Sequence, residues 1–142
     1  MRKLLLASAL ALVSIAGCSK SSTSAVDEHA AKVAALPTVS VDQLDTMLAK
    51  SECTPVDANG DRTRQKLGVI PGAVLLTDSD TFSASELPAD KAKALVFYCA
   101  NTSCGASHEA AAKAITAGYT NVKVLPDGIA GWVSAGKKVT QI

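Results

Sequence analysis

The sequence has no excess of charge of either sign and no apolar run long enough to be a clear membrane span. Its 14 lysines and arginines nearly balance 13 aspartates and glutamates, which argues against a nucleic acid partner, since such proteins carry surplus basic charge. The apolar stretch from Leu4 to Ile15 falls short of the roughly 20 residues that a transmembrane helix needs. We find no internal repeat, and about 100 patterned residues leave no room for a second domain.

The N-terminus has the order of features expected of a lipoprotein signal peptide. Arg2 and Lys3 precede the apolar run, and Ile15-Ala16-Gly17-Cys18 resembles the bacterial lipobox, whose cysteine is acylated and becomes the new N-terminus. The alternative, an ordinary signal peptide, leaves Cys18 without a role. We therefore predict that Cys18 is acylated and binds the lipid bilayer, since two or three acyl chains, at about 0.8 kcal/mol per buried methylene, hold a protein on a membrane.

These features divide the chain into three parts. Residues 1–17 are predicted to be a lipoprotein signal peptide, residues 18–36 a lipidated flexible tether and residues 37–142 the folded domain. The tether begins with a Ser- and Thr-rich run typical of linkers, and a short helix is predicted from Asp27 to Leu36. The predicted location is the bacterial cell envelope, with the domain in the periplasm or outside the cell.

Cysteines are few and odd in number once Cys18 is acylated. Cys53, Cys99 and Cys104 remain, so at least one thiol is free or pairs with another molecule. The sequence has no Cys-x-x-Cys pair, and His108 is the only further ligand that we expect near Cys99 and Cys104. Three such groups are too few for a closed zinc site, and we predict neither a metal nor another cofactor.

Hydrophobic patterning predicts alternating strands and helices. A capping box at Ser40-Val41-Asp42-Gln43 begins a helix that runs to about Lys50. Strands are predicted at Thr54–Asp57, Ala73–Leu76, Ala94–Tyr98 and Asn121–Leu125. Further helices are predicted at Asp61–Leu67, from an N-cap at Ser107 to Gly118, and at Gly128–Ala135. The alternation indicates an α/β fold with one domain, in which a mainly parallel central sheet has helices on both faces.

Cys99 follows the most apolar of these strands directly. Loop amides at the carboxyl end of a parallel strand and before a helix point inward at any anion, and this field favours thiolate, which lowers a cysteine pKa from about 8.5 towards neutrality. We therefore predict Cys99 as the nucleophile; the alternative is a small buried residue at a strand end. The predicted active-site loop comprises Ala100, Asn101, Thr102, Ser103, Cys104, Gly105, Ala106 and Ser107.

Several ordered motifs resemble those of a rhodanese domain. The second half of the resemblance rests on Leu95-Val96-Phe97-Tyr98-Cys99, Ala117-Gly118-Tyr119-Thr120-Asn121-Val122 and Asp127-Gly128-Ile129-Ala130-Gly131-Trp132. In the first half, Val56-Asp57 and Gly68-Val69-Ile70-Pro71-Gly72-Ala73 are similar to the family's Asp-Val-Arg strand and Gly-His-Ile-Pro-Gly-Ala turn. The resemblance spans Thr38 to Val139 and implies a single rhodanese-like domain.

The resemblance also implies an activity. In that family the cysteine after the central strand takes a sulfane sulfur from a small donor, thiosulfate or a persulfide, holds it as a persulfide and passes it to a thiol acceptor or to cyanide; here that residue is Cys99. The resemblance implies an orienting role for Asp57 near the active loop, although Asp57 also fits a turn or cap. His108 either assists Cys99 or is an exposed bystander.

The sequence departs from the family pattern at three places. Asn59 stands where the family commonly has Arg, and Val69 replaces the His. The loop from Cys99 to Ala106 has eight residues where rhodaneses typically use six, and it contains no Arg or Lys, which argues for weak thiosulfate activity or a different donor. Cys104 is either a second thiol able to form a disulfide with Cys99 or an inert buried residue.

Three functions fit these residues. The first is sulfur transfer through a persulfide on Cys99 in a membrane-anchored sulfurtransferase. The second is a thiol–disulfide redox protein that uses Cys99 and Cys104, and the third is a non-catalytic rhodanese-like module that binds an envelope partner. The related phosphatases are the least supported, because they hold an oxyanion with an Arg that this loop lacks.

Overall fold

The computed structural model describes residues 27, 28, 31, 33 and 35–142. The predicted signal peptide, Cys18 and the Ser- and Thr-rich start of the tether lie outside these residues. Within the predicted short helix, the described residues Asp27, Glu28, Ala31 and Val33 have helical backbone. No helix in the described part of the chain has both the length and the apolar character that crossing a bilayer requires.

The folded part alternates helices and strands in the predicted order. The elements are α1 (Val41–Ala49), β1 (Thr54–Asp57), α2 (Asp61–Leu67), β2 (Val74–Leu75), a 3₁₀-helix (Ala84–Glu86), β3 (Leu95–Tyr98), α3 (Ala106–Thr116), β4 (Val122–Leu125) and α4 (Gly128–Ser134). The capping box at the start of α1 is present, with the Ser40 hydroxyl accepting from the Gln43 N–H and the Gln43 amide oxygen accepting from the Ser40 N–H. The 3₁₀-helix was not predicted.

Within the described residues the strands form one parallel sheet in the order β2-β1-β3-β4. All four residues of β3 are buried, which suits a strand that has neighbours on both sides and helices above and below. The parallel register sets Asp57 opposite Tyr98 at the carboxyl edge of the sheet. The predicted central position of β3 is therefore confirmed, and this edge receives the residues that follow β3.

Two apolar clusters pack on opposite faces of the sheet, as the predicted fold class requires. On one face, α3 packs through small residues that let the helix approach the strands closely: Ala110, Ala111 and Ala114 against Val56, Phe97 and Val124. On the other face, α1 and α4 pack against β3 and β4 through Leu44, Ile129, Trp132, Val96, Tyr98 and Leu125. A single α/β domain with helices on both faces results.

The open edge of β4 is covered by the segment that precedes α1. The Val39 N–H donates to the Val124 carbonyl at 2.9 Å, and the Val124 N–H donates to the Pro37 carbonyl at 2.9 Å. These bonds satisfy backbone groups that an exposed edge strand would leave unpaired. The pairing segment, residues 37–39, is too short for its sequence pattern to predict this contact with β4.

Candidate active site

Cys99 lies immediately after β3, at the carboxyl edge of the sheet. The residue is only 1% exposed. Its thiol donates to the Cys104 carbonyl at 3.1 Å and accepts from the Ser107 hydroxyl at 3.4 Å. The sulfur is therefore held between the middle of the loop and the first turn of α3.

The first residues of α4 hold the backbone at the start of the loop. The Ile129 N–H donates to the Cys99 carbonyl at 2.8 Å, and the Ala130 N–H donates to the Ala100 carbonyl at 3.0 Å. Gly128 has a φ of +61°, and a Cβ there would lie 2.5 Å from the Cys99 carbonyl oxygen and 2.7 Å from the carbonyl carbon of Ala100. Glycine is needed for both reasons, and this contact fixes the direction in which the chain leaves β3.

A turn inside the loop brings Cys104 back towards Cys99. The Asn101 carbonyl accepts from the Cys104 N–H at 3.0 Å, and the Asn101 side-chain oxygen accepts from the Ser103 N–H at 3.0 Å. Such Asn-stabilised turns are locally encoded. Thr102 and Ser103 are exposed, so the predicted hydroxyl donors at these two positions lie at the surface, whereas Ser107 reaches the buried sulfur.

The predicted N-cap of α3 is wrong. Gly105 is the N-cap, and the helix begins at Ala106, so six residues from Cys99 to Cys104 precede the N-cap, two fewer than the sequence indicated. Ser107 is 1% exposed and belongs to the first turn. Because Ser107 lies inside the first turn and not before it, it does not cap the helix, and its hydroxyl donates to Cys99.

The two thiols of the loop interact, and their pKa values move in opposite directions. Burial raises the pKa of the Cys99 thiol, as does its contact with Cys104, and the hydrogen bonds from Ser107 only partly offset this. At Cys104 burial acts in the same direction, but hydrogen bonds from the Cys99 thiol and from the N–H groups of Ala100 and Ala106 outweigh it and lower the pKa. The predicted lowering of the Cys99 pKa is therefore wrong, because the loop amides face Cys104.

Among the described residues, none of the hydrogen-bond or ion-pair partners of the Asp57 carboxylate belongs to the active-site loop. Its carboxylate accepts from the Tyr98 hydroxyl at 2.7 Å and from the Asn59 N–H at 2.6 Å. The Tyr98 oxygen in turn accepts from the Ile70 N–H at 3.1 Å. Burial and the adjacent carboxylate raise the pKa of Tyr98, so the phenol stays a donor. Asp57 thus ties the ends of β1 and β3 together.

Arg64 is a buried residue of this edge that the sequence reasoning missed. Its Nη2 atom donates to the Leu76 carbonyl at 2.8 Å and to the Asp57 carbonyl at 3.2 Å, and its Nε atom lies 3.6 Å from the Asp57 carboxylate. The one signal in the sequence is weak: Arg64 lies three residues before Leu67, on the same face of α2. The arginine beside Asp57 therefore comes from α2, and Asn59 occupies the position where the family commonly has one.

His108 lies half-buried in the first turn of α3. Its backbone N–H donates to the Gly105 carbonyl at 3.0 Å, and within the described residues its ring makes no hydrogen bond or ion pair. Nothing in the geometry joins the ring to Cys99. The described part of the chain also contains no group of three or more His, Cys, Asp or Glu side chains arranged to hold a metal ion.

A buried cysteine lies at the carboxyl edge of a parallel sheet, between a loop and the start of a helix. This arrangement is found in a known protein family. The family model of the rhodanese-like domain matches residues 40–135 of the sequence, which is well over half of the chain. The chain belongs to the rhodanese-like domain family. No curated protein matches the sequence.

Solved structures resemble this rhodanese-like domain at low sequence identity. A human single-domain sulfurtransferase is 21% identical, with a TM-score of 0.56, over 69% of this chain and 96% of the human one. A thiosulfate sulfurtransferase from Pseudomonas aeruginosa is 22% identical, with a TM-score of 0.61, over 75% of this chain but only 20% of that one. At these identities the likeness shows the fold alone.

A third similar structure carries a different functional name. It is a Rhodopseudomonas palustris protein of unknown function described as a possible tyrosine phosphatase, 22% identical with a TM-score of 0.64 over 81% of this chain and 92% of its own. Structures with this fold are therefore described as sulfurtransferases in two cases and as a possible tyrosine phosphatase in the third. The chemistry of this rhodanese-like domain must therefore be argued from its own residues.

Replacing Gly128 tests the contact that holds the loop. Gly136→Ala is the control, because Gly136 also has a left-handed backbone, with a φ of +72°, but a Cβ there meets nothing within 4 Å. We expect this control to lower the free energy of unfolding by roughly 1–2 kcal/mol. Gly128→Ala should cost about 1–3 kcal/mol more, because the added methyl overlaps the backbone of Cys99 and Ala100. Urea denaturation measures both; equal losses would contradict the contact.

The pKa directions predict the order in which the thiols are alkylated. Iodoacetamide reacts with thiolates, so at neutral pH Cys104 should be modified first. The rate at Cys99 should increase only as the pH rises further. Cys53, buried and with its pKa also raised by burial, serves as the slow reference. Initial rates come from peptide mass spectrometry; faster labelling of Cys99 than of Cys104 at neutral pH would refute the assignment.

Proposed function

We propose that this rhodanese-like domain is a sulfurtransferase that carries sulfane sulfur as a persulfide on Cys99. The observation that supports this most is the position of the Cys99 sulfur at the carboxyl end of the central strand, in contact with the Ser107 hydroxyl and the Cys104 carbonyl. The Ser107 hydroxyl is the donor of the two contacts and stabilises a charged sulfur, whereas the Cys104 carbonyl accepts from the neutral thiol. A buried cysteine serving only as packing needs neither polar contact.

The proposed transfer has two halves. In the first, the Cys99 thiol loses its proton to the solvent, and the Cys99 thiolate attacks the sulfane sulfur of the donor. The sulfur–sulfur bond of the donor breaks, and the leaving thiolate, or sulfite in the case of thiosulfate, takes the electron pair. In the second half, an acceptor thiolate attacks the outer sulfur and restores the Cys99 thiolate.

The charges around the loop favour a persulfide donor over thiosulfate. Residues 100–107 contain no Arg or Lys, so no loop side chain neutralises a dianion. The N–H groups of Ala100 and Ala106 lower the pKa of the Cys104 thiol, so an incoming oxyanion would compete with that sulfur for them. A small persulfide with one charge at its reactive end needs less compensation.

A sulfur-transfer assay with the full-length chain tests the proposal. With a small persulfide or thiosulfate as donor and cyanide as acceptor, we expect thiocyanate, and in Cys104→Ser without acceptor a mass gain of one sulfur on the peptide that contains Cys99. Cys99→Ser should reduce both to background. Cys53→Ser is the matched control, because Cys53 precedes β1 at the opposite edge of the sheet. Activity that survives Cys99→Ser would refute the proposal.

We further propose that the domain is anchored in the bacterial cell envelope through acylated Cys18. The support is the ordered signal in residues 1–18 alone, and the bilayer would then be a partner of the chain. We expect the N-terminal peptide of the purified protein to begin at Cys18 with the added mass of acyl chains, and the protein to sediment with membranes. Cys18→Ala should abolish both; an unmodified Cys18 in the native protein would refute anchoring.

A further inference from the structure

Cys99 and Cys104 of the active loop lie in contact, with the Cys99 sulfur 3.1 Å from the Cys104 carbonyl oxygen, and the sulfur transfer proposed above uses only Cys99 as sulfur carrier. We propose that Cys104 resolves the Cys99 persulfide: it forms a Cys99–Cys104 disulfide and releases the transferred sulfur as hydrosulfide, and an external dithiol then reduces the disulfide. This inference rests on the proposed function and deepens it. It names hydrosulfide as the product and a dithiol as the electron donor.

The geometry of the loop brings the two thiols together. The Cys99 thiol donates to the Cys104 carbonyl at 3.1 Å and also interacts with the Cys104 sulfur. The turn closed by the Cys104 N–H and the Asn101 carbonyl at 3.0 Å keeps Cys104 over Cys99. In contrast, Cys53 precedes β1 at the opposite edge of the sheet and cannot take part.

The Cys104 sulfur is prepared to act as a nucleophile. Hydrogen bonds from the backbone N–H groups of Ala100 and Ala106 stabilise its thiolate and lower its pKa against the effect of burial. Attack on a disulfide or persulfide sulfur requires a thiolate. The loop thus stabilises negative charge on the residue that would attack, and the raised pKa of Cys99 does not affect the step once Cys99 carries a persulfide.

The step balances in atoms and electrons. The Cys104 thiolate attacks the inner sulfur of the persulfide, which is the Cys99 Sγ atom. A new Cys99–Cys104 sulfur–sulfur bond forms, the bond to the outer sulfur breaks, and the outer sulfur leaves with the electron pair as hydrosulfide. The sulfane sulfur is reduced by two electrons and the two cysteines are oxidised by two, which the external dithiol returns.

Access to the two sulfurs favours this route over direct delivery to an external thiol. Cys99 is 1% exposed, so the donor must enter the loop to deliver its sulfur, and an external acceptor would have to enter a second time; Cys104, a residue already in contact, reacts as an intramolecular group. Cys104 is only half-buried, which leaves its side of the resulting disulfide open to the dithiol. The buried Cys99 therefore receives the sulfur, and the half-buried Cys104 is the side of the disulfide that the dithiol reaches.

A single-turnover experiment on the reduced full-length chain tests this. Under anaerobic conditions without reductant, the protein is mixed with one equivalent of glutathione persulfide or, separately, thiosulfate. Released hydrosulfide is trapped, and non-reduced peptides are analysed by mass spectrometry. In the wild type we expect one hydrosulfide per chain and a peptide in which Cys99 and Cys104 are joined. Cys104→Ser should instead retain one extra sulfur on Cys99, with hydrosulfide at the background set by Cys99→Ser.

The outcomes separate this inference from the proposed function. A stable persulfide on Cys99 in the wild type, without hydrosulfide, overturns the role of Cys104 and leaves sulfur transfer intact. Absence of persulfide from Cys104→Ser with both donors overturns sulfur transfer itself. A disulfide that forms without an equal amount of hydrosulfide reports oxidation and also overturns the inference. Cys53→Ser, the matched control, should behave as the wild type.

Discussion

The close contact between Gly128 and the backbone of Cys99 and Ala100 is the constraint on which the site depends. It requires a residue without a side chain and with a left-handed backbone, and it lets the Ile129 and Ala130 N–H groups bind the two carbonyls. Gly128 fixes the start of the loop and α3 fixes its end, so the residues between them fold back. This folding back brings Cys104 onto Cys99.

The neighbouring strand end is fixed by a second, independent set of contacts. Asp57, Tyr98 and Arg64 share a buried network of hydrogen bonds and one ion pair between β1, β3 and α2. Such groups are costly to bury unless their partners are present. The network occupies the positions around Asp57 from which an orienting role towards Cys99 was expected, so its contribution to the site is a rigid sheet edge.

The sequence predicted the fold better than the site, for physical reasons. Strands such as Thr54–Asp57 and Leu95–Tyr98 follow from local apolar runs, and the place of Cys99 after β3 follows from them. The role of Ser107 does not, because capping propensity is local whereas its hydroxyl is directed by a buried sulfur. The pKa directions depend on which sulfur the amides of Ala100 and Ala106 reach, and Arg64 lies in a polar helix with little pattern. Each of these depends on contacts across the fold.

The absence of Arg from the loop and the presence of Cys104 have a common consequence. A loop that binds an oxyanion needs its backbone amides free and its charge balanced by a cation. Here the amides of Ala100 and Ala106 lower the pKa of a thiol of the protein itself, that of Cys104, and no basic side chain stands in residues 100–107. The same amides cannot serve both an external anion and an internal thiolate. The sulfur–sulfur exchange proposed above requires these amides to act only on a thiolate of the chain, whereas a phosphate or a thiosulfate would require them for itself.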